Sequence, residues 1–183
     1  SCRLVFDLLK TAGADRIMSV DLHAAQSQGF FDGPVDHLIA MPVLVDYIRD
    51  RFSNQLDNVA VVSPDAGRIR VAEQWAQRLG GGPLAFVHKT RDITRPNQAV
   101  ANRVVGDVAG KDCVLVDDLI DTAGTIAGAC NVLKDAGAKS VTVVATHGVL
   151  SGPAVDRLKN CGAREVVLTD TVPIPEEKRW DGL

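Results

Sequence analysis

The chain has 183 residues, of which 46% are hydrophobic and 23% charged, a composition typical of one globular domain or of one domain with part of another. Its net charge of −3 argues against a protein whose main task is binding nucleic acid. No uninterrupted apolar run approaches membrane-spanning length, and Asp7 interrupts the apolar start that a signal peptide would need. We therefore expect a globular protein with neither nucleic acid nor a membrane as partner.

The cysteines indicate the compartment in which the chain works. The spacings between Cys2, Cys113, Cys130 and Cys161 do not form a Cys-x-x-Cys metal site, and a chain of this length does not need a disulfide framework. Cys113 and Cys130 lie in apolar segments and are expected to be small core residues. The sequence therefore predicts reduced thiols and a cytoplasmic location.

Short apolar, β-branched runs alternate with helical patterns along the chain. In chain order, the predicted strands are 16–22, 59–64, 84–88, 113–116, 140–146 and 165–169, and the predicted helices are 2–12, 41–52, 67–79, 124–136 and 152–160. Glycines that would end a helix follow four of these helices, at Gly13, Gly80, Gly137 and Gly162. Strands that are apolar throughout indicate a parallel sheet covered on both faces. The predicted fold class is therefore α/β.

One stretch, Val114–Thr125 (VLVDDLIDTAGT), joins an apolar run to a cluster of acids and a small polar turn. In parallel sheets, ligands bind beyond the carboxyl ends of the strands. The sequence predicts a buried strand that ends at Val116, so that Asp117, Asp118 and Asp121 follow its carboxyl end.

The segment Thr122-Ala123-Gly124-Thr125 opens the next predicted helix. Backbone N–H groups at a helix start have no partner within the helix and carry partial positive charge, so they suit a phosphate. Ala123 and Gly124 leave room for the anion, and the two threonine hydroxyls add donors. Since the acids would repel that phosphate, we expect them to contact sugar hydroxyls, or a Mg²⁺ ion shared with them. A phosphorylated ribose supplies both kinds of partner.

The alternative is that Asp121 or Thr122 only caps the helix. Capping would account for one of these side chains but not for three acids.

Two further segments lack a regular pattern. Residues 21–36 (DLHAAQSQGFFDGPVD) carry Gly and Pro without a clean period, and residues 90–106 (TRDITRPNQAVANRVVG) are polar, contain three arginines and are long for a connection. We expect the second segment to be a mobile functional loop. A solvated excursion or a small hairpin is the alternative.

Val114–Thr125 resembles the phosphoribosyl diphosphate motif shared by type I phosphoribosyltransferases and ribose-phosphate diphosphokinases. Residues 21–36 are similar to the longer signature of the ribose-phosphate diphosphokinase family, and 61–67 (VVSPDAG), 89–91 (KTR) and 106–111 (GDVAGK) follow in the family's order. The resemblance covers essentially the whole chain. It implies a type I phosphoribosyltransferase-like fold, a three-layer αβα sandwich with a parallel sheet.

The resemblance also implies an activity. Enzymes of this family transfer the diphosphoryl group of ATP to the 1-hydroxyl of ribose 5-phosphate, releasing AMP, with Mg²⁺ as cofactor. They form homo-oligomers, hexamers in the family, and serve nucleotide biosynthesis. By resemblance, Asp117 and Asp118 contact the ribose hydroxyls, and the residues from Asp121 through Thr125 hold the 5-phosphate.

The metal and the transferring phosphates would be held elsewhere. By resemblance, His23 and Asp65 are ligands of the metal that accompanies ATP, although Mg²⁺ generally prefers oxygen and a lone His is more often structural. Lys89 is the expected catalytic residue, and Arg91 is expected to hold phosphate or substrate, since cations closing over phosphates stabilise transition-state charge. Two solvated surface cations are the alternative.

In the family, two similar domains pack together. Residues 1–36 resemble the end of the first domain, and residues 37–183 resemble the second domain, with the catalytic flexible loop at about 89–106. The sequence resembles the latter part of such an enzyme, so we expect a chain with nothing before Ser1 to bind ribose 5-phosphate weakly and to turn over poorly.

Three rival functions share the fold. A phosphoribosyltransferase would explain 114–125 but would leave 21–36 without a purpose. A non-catalytic regulatory subunit would be expected to lose loop or metal residues, yet His23, Asp65, Lys89 and Arg91 are present. A transcription regulator that senses phosphoribosyl diphosphate would need a DNA-binding module and a basic face, and the sequence indicates neither.

Overall fold

The computed structural model describes residues 2–90 and 101–183, with side chains over 2–88 and 103–183. The chain divides into two compact units, Ser1–Pro42 and Val43–Leu183. In the part of the chain that is described, no helix is long and apolar enough to cross a membrane.

The first unit is built on a helix and two short strands. Helix α1 spans Cys2–Thr11, and strands β1 (Ile17–Val20) and β2 (Val35–Leu38) pair in parallel. The rings of Phe6 and Phe31, both buried, lie 6.1 Å apart and form the apolar centre of this unit. The sequence did not predict β2, because VDHL is short and polar and becomes a strand only through its pairing with β1.

The second unit is built on a six-stranded sheet in the order β5-β4-β3-β6-β7-β8. The strands are β3 (Val59–Ser63), β4 (Leu84–Thr90), β5 (Ala101–Val105), β6 (Asp112–Ile120), β7 (Ser140–Gly148) and β8 (Glu165–Leu168). All neighbours pair in parallel except β4 and β5, which are antiparallel. The predicted parallel sheet is confirmed, with one antiparallel strand at its edge.

Both faces of this sheet are buried. In β3, Ala60 and Val62 face one apolar layer, while Val59 and Val61 face the other, and all four are at most 2% exposed. A strand that contributes alternate side chains to two cores has no polar face, which is why it carries an unbroken apolar run.

The described chain contains five α-helices. After α1 come α2 (Met41–Arg51), α3 (Ile69–Arg78), α4 (Gly124–Asp135) and α5 (Ala154–Asn160). The chain crosses from β3 through α3 to β4 in one direction, and from β6 through α4 to β7 in the other. Right-handed crossovers therefore place α3 and α4 on opposite faces, which gives the three-layer αβα arrangement.

The predicted helix ends agree with the structure. The four glycines that follow the helices all adopt positive φ, at Gly13, Gly80, Gly137 and Gly162. Cys113 and Cys130 are buried in the core as expected, and the chain's cysteines are free thiols.

Two strands differ from the sequence prediction. Residues 101–105 form β5, which pairs antiparallel with β4, where the sequence predicted no strand. Residues 91–100 lie outside the described residues. Strand β6 was predicted to end at Val116, but its pairing with β7 continues to Ile120, opposite Gly148.

Candidate functional site

Asp117 and Asp118 lie within β6, three and two residues before its last residue, and not after it as predicted. The prediction was wrong because continued hydrogen bonding to β7 extends the strand past its apolar run. Both side chains are half-buried at the carboxyl edge of the sheet. The acids are therefore held on a rigid strand and not on a loop.

The two acids have different environments. The backbone N–H of Asp118 donates to Oδ1 of Asp117 at 2.9 Å. Burial, followed by the hydrogen bond with Asp118, raises the pKa of Asp117 to about 7. Near neutral pH, a substantial fraction of Asp117 is therefore protonated, so the two adjacent carboxyl groups need not both be charged.

Asp118 forms an ion pair with Arg68, a partner that the sequence analysis did not identify. The two side chains are 13% and 20% exposed, so the pair is largely shielded from solvent. Arg68 belongs to a short 3-10 turn after β3, which pairs with β6 in the sheet. The only signal in the sequence is a basic residue shortly after a strand end; the pairing itself depends on the strand order.

The β6–α4 turn (Asp121–Ala123) has an unusual backbone. Ala123 adopts a left-handed conformation, with φ 58 and ψ 11, and is followed directly by the first residue of α4. A left-handed residue next to a right-handed one turns successive N–H groups toward a common point, a concave arrangement that binds anions. This geometry supports the predicted phosphate site.

The N-terminus of α4 lacks a side-chain cap, so it is suited to an anion from outside the chain. The residue before α4 is Ala123, and it makes no side-chain capping hydrogen bond. The alternative that Asp121 or Thr122 occupies the cap position is therefore wrong. The side chains of Thr122 and Thr125 are exposed beside the turn, where their hydroxyls add donors.

Gly124 is required neither by conformation nor by packing. Its φ is not in the positive range, and a Cβ there would lie 3.4 Å from Nη1 of Arg157 and 4.0 Å from Oγ1 of Thr122. Both are ordinary contact distances. Conformation and packing therefore do not explain why this residue is a glycine, whereas room for a ligand at the turn would explain it.

The β3–α3 turn (residues 64–68) follows the strand next to β6. Oδ1 of Asp65 accepts the N–H of Gly67 at 2.8 Å, and the carbonyl oxygen of Asp65 accepts the hydroxyl of Ser63 at 2.6 Å. Asp65 thus caps its own turn, and its carboxylate is held at the same edge of the sheet as Asp117 and Asp118.

The first unit holds the remaining acids and the predicted metal histidine. His23 is exposed after β1. Asp36 pairs with Arg16, whose hydrogen bond lowers the pKa of Asp36, and Oδ2 of Asp21 accepts the N–H of Ala40 at 3.2 Å. His37 accepts the N–H of Leu22 through Nε2 and so contributes to the structure of this unit.

The donor set fits Mg²⁺ in part. Among the described residues, no group of three or more His, Cys, Asp or Glu side chains is placed to hold a metal. Mg²⁺ is usually held by one or two carboxylates, with waters and substrate phosphates completing its shell. The oriented carboxylate of Asp65 meets that requirement, while the ring of His23 is a less favoured donor.

One of the two predicted catalytic cations, Lys89, lies near the end of β4. Lys89 is the penultimate residue of this strand, and its side chain is not among those described. Arg91 lies outside the described residues. Their roles therefore stay predictions.

Known proteins match the chain over its whole length. A family model described as phosphoribosyl synthetase-associated domain matches residues 93–180. Over its 183 residues the chain is 96% identical to a ribose-phosphate pyrophosphokinase of Bifidobacterium longum and 65% identical to one of Corynebacterium efficiens. Over its whole length the chain is therefore similar to ribose-phosphate pyrophosphokinases. It spans about half the length of these relatives, 54% and 55% respectively.

Solved structures confirm the expected fold of the chain. The phosphoribosylpyrophosphate synthetase of Mycobacterium smegmatis, 61% identical, superposes with a TM-score of 0.90 over 99% of this chain and 57% of its own. The orotate phosphoribosyltransferase of Aeropyrum pernix, 27% identical, gives a TM-score of 0.53 over 69% of this chain and 68% of its own. The type I phosphoribosyltransferase-like fold is therefore confirmed.

Proposed function

We propose that this chain provides the ribose 5-phosphate site of an enzyme that transfers the diphosphoryl group of ATP to the 1-hydroxyl of that sugar, giving phosphoribosyl diphosphate and AMP. The observation that carries the proposal is the β6–α4 turn, where a left-handed alanine precedes a helix that lacks a side-chain cap. The acids on the adjoining strand supply acceptors for sugar hydroxyls. A phosphorylated pentose matches both features.

In this proposal the turn binds the phosphate of the sugar, and the acids bind its hydroxyls. The N–H groups at the start of α4 and the hydroxyls of Thr122 and Thr125 bind the 5-phosphate, while Asp121, Ala123 and Gly124 complete the segment. Asp117 and Asp118 accept hydrogen bonds from the ribose hydroxyls. Asp118 can do this while paired with Arg68, since a carboxylate has about four acceptor sites.

The transfer itself needs no nucleophilic side chain. The 1-hydroxyl of the sugar attacks the middle phosphorus of ATP, the bond from that phosphorus to the oxygen of AMP breaks, and the hydroxyl proton is lost to solvent or a base. Lys89 and Arg91 neutralise the charge that builds on the transferring oxygens. When bound, Mg²⁺ would neutralise charge on the polyphosphate, with Asp65 and His23 as its protein ligands.

The domain organisation is a proposal of the same kind. We infer that residues 1–36 end a first phosphoribosyltransferase-like domain and that residues 37–183 form a second one. The division into two compact units after Pro42 supports two bodies, and the proposed boundary lies inside the first of them. A cytoplasmic homo-oligomer is the expected context.

Binding of the sugar tests the proposal. We expect calorimetry to show ribose 5-phosphate binding to the chain, and we expect weaker binding of both ribose and 2-deoxyribose 5-phosphate. Ribose lacks the phosphate that the turn would bind, and 2-deoxyribose 5-phosphate lacks one of the hydroxyls that the acids would bind. Equal affinity for all three ligands would contradict the proposed site, and so would a failure to bind any of them.

A turnover assay separates this function from a second candidate. The family model that matches 93–180 is described as synthetase-associated, which favours a non-catalytic role as the alternative. AMP release from ATP and ribose 5-phosphate, measured in a chain of the relatives' full length that carries this segment, supports the catalytic role. Sugar binding without AMP release in that chain would favour the associated role.

A further inference from the structure

Arg157 reaches from α5 to the turn that precedes α4. Its Nη1 donates a hydrogen bond to the carbonyl oxygen of Thr122 at 2.9 Å. The same nitrogen lies 3.4 Å from the position that a Cβ on Gly124 would occupy. The guanidinium therefore lies directly against the backbone of the 121–125 segment, although 35 positions separate it from Thr122 in sequence.

This contact fixes the orientation of one peptide group. Within a planar trans peptide, the carbonyl of Thr122 and the N–H of Ala123 point in opposite directions. The described chain contains no cis peptide bond. A guanidinium that holds the carbonyl on the α5 side therefore turns the N–H of Ala123 to the other side, away from Arg157.

The turn needs such a restraint because its conformation is unfavourable for an alanine. Ala123 has φ 58, a region that residues with a Cβ seldom adopt. Glycine would reach this conformation without strain, but alanine needs contacts that hold it there. A guanidinium N–H makes a stronger hydrogen bond to a carbonyl oxygen than a neutral donor does, so this contact is suited to that task.

A second contact supports the other end of the segment. The N–H of Ser151 donates to the carbonyl oxygen of Asp121 at 2.9 Å. Ser151 and Arg157 both follow β7, so the chain after β7 holds two successive carbonyls of the segment that follows β6. Two consecutive backbone carbonyls are thereby directed away from the concave side.

We propose that Arg157 is a positioning residue for the sugar phosphate, one that orients the peptide between Thr122 and Ala123 so that the segment presents its N–H groups to the anion. The inference rests on the proposed function, since it assigns a device to that same site. Arg157 acts through the backbone of the turn and is not itself a ligand of the phosphate.

Three substitutions separate geometry from charge. R157A removes both the donor and the charge, R157K keeps the charge with a shorter, single-point donor, and K159A removes a positive charge from the same helix without touching the turn. We expect R157A to weaken ribose 5-phosphate binding about tenfold, R157K to recover part of that loss, and K159A to change it less than about twofold. Affinity for unphosphorylated ribose should stay the same in all three.

A structure of R157A without sugar provides the readout that does not depend on affinity. We expect the carbonyl of Thr122 to rotate and Ala123 to leave the left-handed region, with the amide resonances of Ala123 and Gly124 shifted in solution. An unchanged turn in R157A overturns the inference, as does equal loss of affinity in R157A and K159A. If the unsubstituted chain fails to bind the sugar, the proposed function fails, while the turn in R157A still decides the role of Arg157.

Discussion

The two turns at the carboxyl edge of the sheet solve the same problem in opposite ways. Each joins a buried parallel strand to a helical segment whose first N–H groups have no partner within the helix. In the β3–α3 turn, extended Asp65 satisfies one of them with its own carboxylate. In the β6–α4 turn, left-handed Ala123 provides no acceptor. The first turn is complete within the chain, whereas the second is suited to an anion from outside.

The largest expected effect comes from the ion pair between Arg68 in the β3–α3 turn and Asp118 on β6. R68A would leave the carboxylate of Asp118, 13% exposed, beside Asp117 without its cation. Removing one partner of a largely buried pair leaves an uncompensated charge, so we expect the free energy of unfolding to fall by about 2–3 kcal/mol. Urea unfolding at neutral pH measures it.

The double variant R68A/D118N is the control for this prediction. Since the asparagine carries no charge, it should recover a large part of the stability that R68A loses. If R68A alone were as stable as the unsubstituted chain, the pair would not contribute to holding the acids in place.

The second prediction concerns pH. Because burial raises the pKa of Asp117 to about 7 from an ordinary value of 3.8, the folded chain binds more protons than the unfolded chain between these values. The contribution of Asp117 to the free energy of unfolding therefore decreases as pH rises from about 4 to about 7. D117N removes this dependence, so its stability relative to the unsubstituted chain should rise by about 1–2 kcal/mol across that range.

Thermal unfolding of D117N at pH 4.5 and pH 8 checks the sign. D36N is a useful control, since the hydrogen bond with Arg16 lowers the pKa of Asp36 and its stabilising effect is lost only as pH falls below about 4. A stability difference for D117N that stays constant with pH would contradict the raised pKa.

The third prediction tests the self-capped turn. D65A removes the acceptor of the Gly67 N–H, and we expect a loss of about 1 kcal/mol, while D65N, which keeps an acceptor, should lose much less. Urea unfolding of both variants provides the measurement. Equal loss in the two variants would show that charge, and not capping, is what Asp65 contributes.

Much of this edge could be predicted from sequence, because local patterns determine it. The apolar run of β6, the glycines after the helices and the acids of Val114–Thr125 all report short-range preferences. The exact end of β6 could not be predicted, because pairing with β7 extends the strand over Asp117 and Asp118. Short polar strands such as β2 and β5 likewise form only because a neighbouring strand pairs with them.

The partners of the site residues could not be predicted from sequence patterns either, for a different reason. Arg68 meets Asp118 only because β3 lies next to β6, and Arg157 meets Thr122 only because α5 returns to the β6–α4 turn. These contacts depend on strand order and helix placement. The left-handed conformation of Ala123 is also unexpected, since alanine has no intrinsic preference for it.

The smallest effect on stability is expected for a substitution of Gly124. This substitution tests whether the turn before α4 is built for an external anion. A methyl group there meets only ordinary contacts, and alanine is the better helix former, so G124A should gain up to about 0.5 kcal/mol of unfolding free energy. If the glycine leaves room for the phosphate, the same variant should bind ribose 5-phosphate about threefold to tenfold more weakly, as calorimetry would show. A variant that gains stability and keeps its full affinity would mean that the anion does not approach the turn at Gly124, and the phosphate site would then have to lie on the threonine hydroxyls alone.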